Sequence, residues 1–225
     1  MSPLAAVALA REQGVRTVVH ISCRDRNRLA LQSQVVGAAA LGSDGVLCIY
    51  GDPVDGIPRV KDLTATSLIA EAKRWAKPHE LAVGAVVNPF APDLDRELGL
   101  LERKLASGAD FVQSQMVFDL DALRAFLERA ADMLAGVRFY AGIALLRSER
   151  MAEHARRLPG CLLPDSAYRR ISLGGGVSLA TQLATELADT PGVDALHIYP
   201  LGAEQATREV ASAFRSRRGV PAQRR

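Results

Sequence analysis

Apolar residues along the chain gather in six short runs rich in β-branched side chains, at 16–21, 45–50, 81–87, 111–118, 138–145 and 195–201. Their near-continuous apolar character predicts strands buried on both faces, the pattern of a parallel sheet covered by helices. Between them the apolar positions fall at helical spacing, over 29–41, 66–76, 93–107, 120–134, 148–158, 176–189 and 204–216, with a further helix at 3–12 before the first strand. Several strands follow a glycine helix stop, as at Gly14, Gly108 and Gly192. Strict alternation of strand and helix implies parallel strands joined by right-handed crossovers. No Gly/Ser/Pro-rich linker interrupts the six units, so one domain over residues 1–215 is expected, with a flexible basic tail over 216–225. A doubly wound sheet would carry a G-x-G-x-x-G turn after the first strand. His20-Ile21-Ser22-Cys23-Arg24-Asp25 has none, and the pattern leans towards a barrel.

Composition narrows the class. A chain of 225 residues, 48% hydrophobic and 24% charged, can bury one sizeable core. No run reaches the ~18 apolar residues of a membrane span. The three cysteines Cys23, Cys48 and Cys161 lack zinc or redox spacing, which points to a reducing cytosol and no metal site. The net charge of +3 gathers in the arginines near the C-terminus. No aromatic is interleaved with them, so neither nucleic acid nor membrane is an expected partner.

Candidate chemistry sits at the strand ends, where a barrel builds its active site. The first strand ends in His20, Ser22, Cys23, Arg24 and Asp25, the second in Tyr50-Gly51-Asp52-Pro53, and the third in Asn88-Pro89-Phe90. Gln113 and Gln115 interrupt the fourth strand, and His197 and Tyr199 the last. An unpaired buried amide costs about 1–3 kcal/mol, so these groups need partners, which a polar ligand would supply. Each also has a plainer reading. Asp52 suits a turn before proline, the two glutamines could pair with each other or with backbone, and His197 could be a core histidine. Lys104 could belong to a solvated helix face. Gly174-Gly175-Gly176 precedes a helix and suits either a phosphate or a flexible cap.

Five blocks resemble the methylenetetrahydrofolate reductase family, in the family's order. They are Val18-Val19-His20-Ile21-Ser22-Cys23-Arg24-Asp25, Cys48-Ile49-Tyr50-Gly51-Asp52-Pro53, Gly84-Ala85-Val86-Val87-Asn88-Pro89, Gly108-Ala109-Asp110-Phe111-Val112-Gln113-Ser114-Gln115 and Asp194-Ala195-Leu196-His197-Ile198-Tyr199-Pro200-Leu201. The resemblance implies a TIM-type (β/α)8 barrel that binds FAD and reduces 5,10-methylenetetrahydrofolate to 5-methyltetrahydrofolate with NADH or NADPH. Carried over by position, His20, Gly51, Asp52, Ala65, Val86 and Lys104 look like flavin contacts. Asp52, Gln115 and Tyr199 look like folate contacts, with Asp52 the catalytic group. Helix 3–12 corresponds to the family's connection into its third strand. The expectation is therefore a barrel lacking its first two strands, with no position for the family's catalytic glutamate. Tyr50 and Ala203 stand where many members have arginine, and 144–149 lacks the aromatic that often stacks on the pterin. Two alternatives stay open. One is a non-catalytic folate- or flavin-binding subunit whose barrel a second copy or a partner completes, since six strands leave two unpaired edges. The other is a methyltransferase-type folate barrel using Asp52 and Asn88 without a flavin.

Overall fold

The computed structural model describes every residue except Val54, Pro78 and 220–225. Along the chain run α1 (Pro3–Glu12), β1 (Val18–Ser22), α2 (Arg28–Ala40), β2 (Gly45–Ile49), α3 (Ala65–Trp75), β3 (Ala82–Val87), α4 (Leu94–Ala106) and β4 (Phe111–Met116). Then come α5 (Leu120–Ala130), β5 (Arg138–Ala144), α6 (Glu149–Arg157), α7 (Asp165–Ser172), α8 (Gly176–Ala188), β6 (Ala195–Tyr199) and α9 (Glu204–Arg217). Hydrogen-bonded strand neighbours follow chain order from β1 to β6. That order contains no reversal, which separates it from the doubly wound sheet. Among the described residues no helix is long and apolar enough to cross a membrane.

The chain divides into two compact units, the first comprising Met1–Val86 and Gly99–Val112 and the second Val87–Leu98 and Gln113–Arg225. In the first, β1, β2 and β3 pair in parallel, with Val18 opposite Gly45 and Gly45 opposite Ala82. One strand face carries Val19, Ile21, Val46, Cys48, Val83 and Ala85 into a core with Leu31 and Val35 of α2 and Leu68, Ile69 and Ala72 of α3. Burial pushes the Cys48 thiol up to about 12, and raises the Cys23 thiol too, so both behave as small core hydrophobes. The expectation of strands buried on both faces fails at β1. Val18 and His20 are exposed while Val19 and Ile21 are buried, because β1 ends the ladder and its other face lacks cover.

In the second unit β5 and β6 pair in parallel, Tyr140 opposite Ala195 and Ala144 opposite Tyr199. Phe126 of α5 meets Phe139 of β5 at a 6.3 Å ring separation. Helix α7 is absent from the sequence reading. Eight residues with only Ala167 and Ile171 buried are too few to display a period. Helix α9 carries the chain through Arg217, which pairs with Asp189, so 216 and 217 are helical and not tail. Arg218 caps that helix and Gly219 follows at φ 66°, and 220–225 of the expected tail lie outside the described residues.

A G-x-D tripeptide recurs at three strand entries, as Gly42-Ser43-Asp44, Gly108-Ala109-Asp110 and Gly192-Val193-Asp194. Each glycine has positive φ, between 75° and 96°, and reverses the chain after a helix. The carboxylate then accepts an N–H one residue from the start of the preceding strand. Asp44 takes Thr17 at 2.8 Å, Asp110 takes Val83 at 2.7 Å and Asp194 takes Phe139 at 2.7 Å. Arg16 hydrogen-bonds Asp44 and, with the Thr17 N–H, holds its carboxyl below the ordinary carboxylate value. A depressed native pKa gives stability that is present above the unfolded-state pKa of about 4 and lost as pH falls through the native one. Asp44→Asn should therefore cost about 1 kcal/mol at neutral pH, discounted for solvent screening of a surface pair. The gap from wild type should close as the pH drops below about 4. Urea unfolding across a pH series measures it, and a pH-independent gap would remove the carboxylate from the account.

Candidate functional site

Both units present polar residues at the C-terminal ends of their strands, where parallel sheets bind ligands. In the first unit, Ser22 at the end of β1 donates its hydroxyl to the Tyr50 carbonyl at 2.9 Å, and the Arg24 N–H reaches the same carbonyl at 2.9 Å. These bonds hold the chain after β2 close against β1. Gly51 follows in the left-handed region, φ 94°, and a Cβ there would lie 2.0 Å from Ser22 Oγ. Only glycine fits. Asp52 comes next, exposed, and accepts no hydrogen bond from another described residue.

Cations surround this strand end. Arg24 is buried in an ion pair with Asp25, Arg26 donates to the Ser22 carbonyl at 3.0 Å, and Arg59 stacks 5.1 Å over the Tyr50 ring. His20 is exposed as a residue, yet desolvation still holds its imidazole pKa below the ordinary value. Ala65 is half-buried as the first residue of α3, whose N-terminus Thr64 and Ser67 close with a reciprocal capping box. Lys104 overturns the solvated-face reading. It is 8% exposed, and its ammonium donates to the Val86 carbonyl at 2.7 Å, which joins two residues that the family resemblance names separately.

In the second unit the turn after β3 is fixed from several sides. The Asn88 N–H donates to Glu97 Oε1 at 3.0 Å, and Asn88 Oδ1 accepts the Phe90 N–H at 3.1 Å. A Cβ on Gly160 would lie 2.1 Å from Asn88 Nδ2. Sequence reading missed Glu97 and Gly160. Glu97 left a signal as an acid in the first turn of α4, and Gly160 left one as a Pro-Gly turn.

The two glutamines of β4 part company. Gln113, 6% exposed, donates its amide N–H to the Tyr199 hydroxyl at 3.0 Å. His197 packs edge-on against the same ring at 4.4 Å. Gln115 turns its amide to backbone instead, accepting the Met116 N–H at 2.9 Å and reaching the Pro159 carbonyl at 3.4 Å. Tyr199 thus meets Gln113 and His197 directly, and Gln115 is not among its hydrogen-bond partners. Desolvation raises the Tyr199 pKa, and the Gln113 N–H partly opposes that rise. Beyond Tyr199 the chain holds Leu201 at φ 48°, a conformation that costs a non-glycine residue about 1 kcal/mol or more. In the glycine run at the start of α8, Gly176 is packed closely against the Leu146 carbonyl, while a Cβ on Gly174 would meet nothing within 4 Å.

The family described as methylenetetrahydrofolate reductase matches residues 1–215. Methylenetetrahydrofolate reductase 1 of Schizosaccharomyces pombe is 21% identical over 216 residues, covering 87% of this chain and 35% of its own length. Methylenetetrahydrofolate reductase 2 of Saccharomyces cerevisiae is 26% identical over 219 residues, covering 86% and 35%. The chain therefore spans about a third of the length of these relatives. Among solved structures, a Clostridium thermocellum protein that binds two copies of 5-methyl-5,6,7,8-tetrahydrofolic acid superposes with a TM-score of 0.59 at 12% identity. The match covers 89% of this chain and 73% of that one. At that identity the likeness speaks for the fold.

Proposed function

The chain belongs to the methylenetetrahydrofolate reductase family, and from that premise we infer that it forms the folate-handling barrel of an oxidoreductase converting 5,10-methylenetetrahydrofolate to 5-methyltetrahydrofolate. The match over 215 residues carries this reading. The strand ladder in chain order supports a TIM-type (β/α)8 barrel of which six βα units are present here. The solved neighbour that holds 5-methyltetrahydrofolate supports a folate ligand.

The first unit fits a flavin dinucleotide by the chemistry of its groups. Gly51 bars a side chain where a flat ring would approach the backbone. Arg24, Arg26 and Arg59 offer cations to a diphosphate, and His20, Asp52, Ala65, Val86 and Lys104 complete the set. When bound, the flavin supplies hydride drawn from NADH or NADPH. Asp52 contributes a carboxylate that favours positive charge developing on the folate methylene-iminium. Tyr199 and Gln115 orient the pterin, and the scattered free thiols fit a cytosolic setting.

The Clostridium thermocellum neighbour, which binds 5-methyl-5,6,7,8-tetrahydrofolic acid, favours a second reading, a folate-binding barrel without redox chemistry of its own. The uncovered face of β1 makes association with a second copy or a partner subunit part of both readings. Purified full-length protein decides between them. A yellow protein with flavin absorbance that oxidises NADH or NADPH only when methylenetetrahydrofolate is present supports the reductase. A colourless protein that binds 5-methyltetrahydrofolate supports the second reading, and protein that binds neither sinks both.

A further inference from the structure

We propose that Gln113 and Tyr199 act as one recognition pair for the amide edge of the ligand's heterocycle, with Gln113 as a specificity-determining residue. This rests on the folate reading above.

Gln113 spends one amide hydrogen on the Tyr199 hydroxyl oxygen at 3.0 Å, and among the described residues no protein donor reaches its Oε1. The side chain is only 6% exposed on β4, so a ligand seated there desolvates the free oxygen and has to supply its donor. In this arrangement the Tyr199 O–H is left as a donor and Gln113 Oε1 as an acceptor, side by side. The opposite amide orientation leaves the same complement, with the tyrosine oxygen accepting and the amide N–H donating. Either way the pair offers an acceptor with a donor beside it, and a remaining amide N–H adds a further donor. That matches a ring bearing N–H next to C=O, the edge of a pterin or another cyclic amide. It does not match a phosphate or a carboxylate; the pyrimidine edge of an isoalloxazine, N–H beside C=O, has the same complement, and the folate reading above is what selects the pterin. Gln115, which orients the pterin in the reading above, already shares its oxygen with the Met116 N–H and its amide N–H with the Pro159 carbonyl, and so contributes alongside the pair. His197, edge-on at 4.4 Å, limits the swing of the Tyr199 ring. Discrimination follows from burial, since a ligand lacking either half of the edge leaves a desolvated polar group without a partner.

The test uses the full chain and three probes: 5-methyltetrahydrofolate, p-aminobenzoylglutamate, which lacks the pterin, and FAD. Calorimetric affinities are measured for wild type, Gln113→Leu, Gln113→Glu and Tyr199→Phe, each with its thermal midpoint. Gln113→Leu and Tyr199→Phe should each weaken 5-methyltetrahydrofolate about 5- to 100-fold. Gln113→Glu should fail to rescue, because a carboxylate beside a hydroxyl it accepts from leaves only acceptors. The double variant Gln113→Leu/Tyr199→Phe should lose less than the product of the single losses, and p-aminobenzoylglutamate should change by less than about twofold; a loss of FAD affinity as large as the folate loss would assign the pair to the flavin and overturn the proposal. Ultraviolet titration of the tyrosines supplies a readout independent of any ligand. Relative to wild type, Gln113→Leu should raise the ionisation assigned to Tyr199 by comparison with Tyr199→Phe. If wild type binds no 5-methyltetrahydrofolate, the folate reading falls and takes this pair with it. If wild type binds but folded Gln113→Leu and Tyr199→Phe bind equally well, or the tyrosine titration does not move, the pair alone falls.

Discussion

Asp52→Asn should lower the methylenetetrahydrofolate-dependent rate by one to three powers of ten while the fold persists. Two unit charges 4 Å apart at an effective dielectric of 20 interact by about 4 kcal/mol, close to three powers of ten in rate if fully expressed in the transition state. Asp52 is exposed in the free protein, so solvent screening sets the lower end of that range. Asparagine keeps the shape and removes the charge, and no described neighbour loses a bond. The thermal midpoint should accordingly stay within about 2 °C of wild type. Single-turnover reduction of the folate measures the effect apart from product release. A variant that reacts as fast as the parent takes Asp52 out of the chemistry, and one that unfolds makes it a structural residue instead.

Gly176→Ala should be the most damaging single methyl in the second unit. An added Cβ would lie 1.6 Å from the Leu146 carbonyl oxygen and 2.8 Å from its carbon. Both belong to backbone, the segment leaving β5 and the first turn of α8, so no flexible side chain can yield. A loss of about 3–5 kcal/mol follows, a fall of roughly 6–20 °C in thermal midpoint for a chain of this size. Gly174 two residues earlier is the internal control. A Cβ there meets nothing within 4 Å, and only its φ of 85° opposes alanine, at about 1–2 kcal/mol. Chemical denaturation of the two variants side by side measures the contrast. Equal losses would mean that the run works through backbone freedom and not through close packing.

That run shows where sequence reading stops. Three consecutive glycines before a helix suit a phosphate cradle, a loose cap or a tight crossing equally well, because the sequence records the missing side chain and not what occupies its place. Lys104 is similar. Glu102 and Arg103 beside it suggest a wet face, yet it is turned inward onto the Val86 carbonyl. Gln113 and Gln115 share a strand face by parity, and nothing local says that one takes a tyrosine and the other its own backbone.

The alternation of six strands and their helices was legible because apolar spacing reports which side of an element is buried, and that is a local property. The glycine stops before several strands were legible in the same way, but the carboxylate after Gly42, Gly108 and Gly192 bonds an N–H 27 or 55 positions back, a meeting that only the fold decides. The ordered blocks from His20 to Tyr199 pointed to the family without any coordinates. Tertiary structure alone decided the uncovered face of β1, the inward course of Lys104, the Gln113–Tyr199 bond and the contact at Gly176. Each depends on which residues come together across 18 to 86 positions of chain, with Lys104 and Val86 at the near end and Gln113 and Tyr199 at the far end. Strand register and crossover packing set such meetings, and no short window of sequence contains both partners.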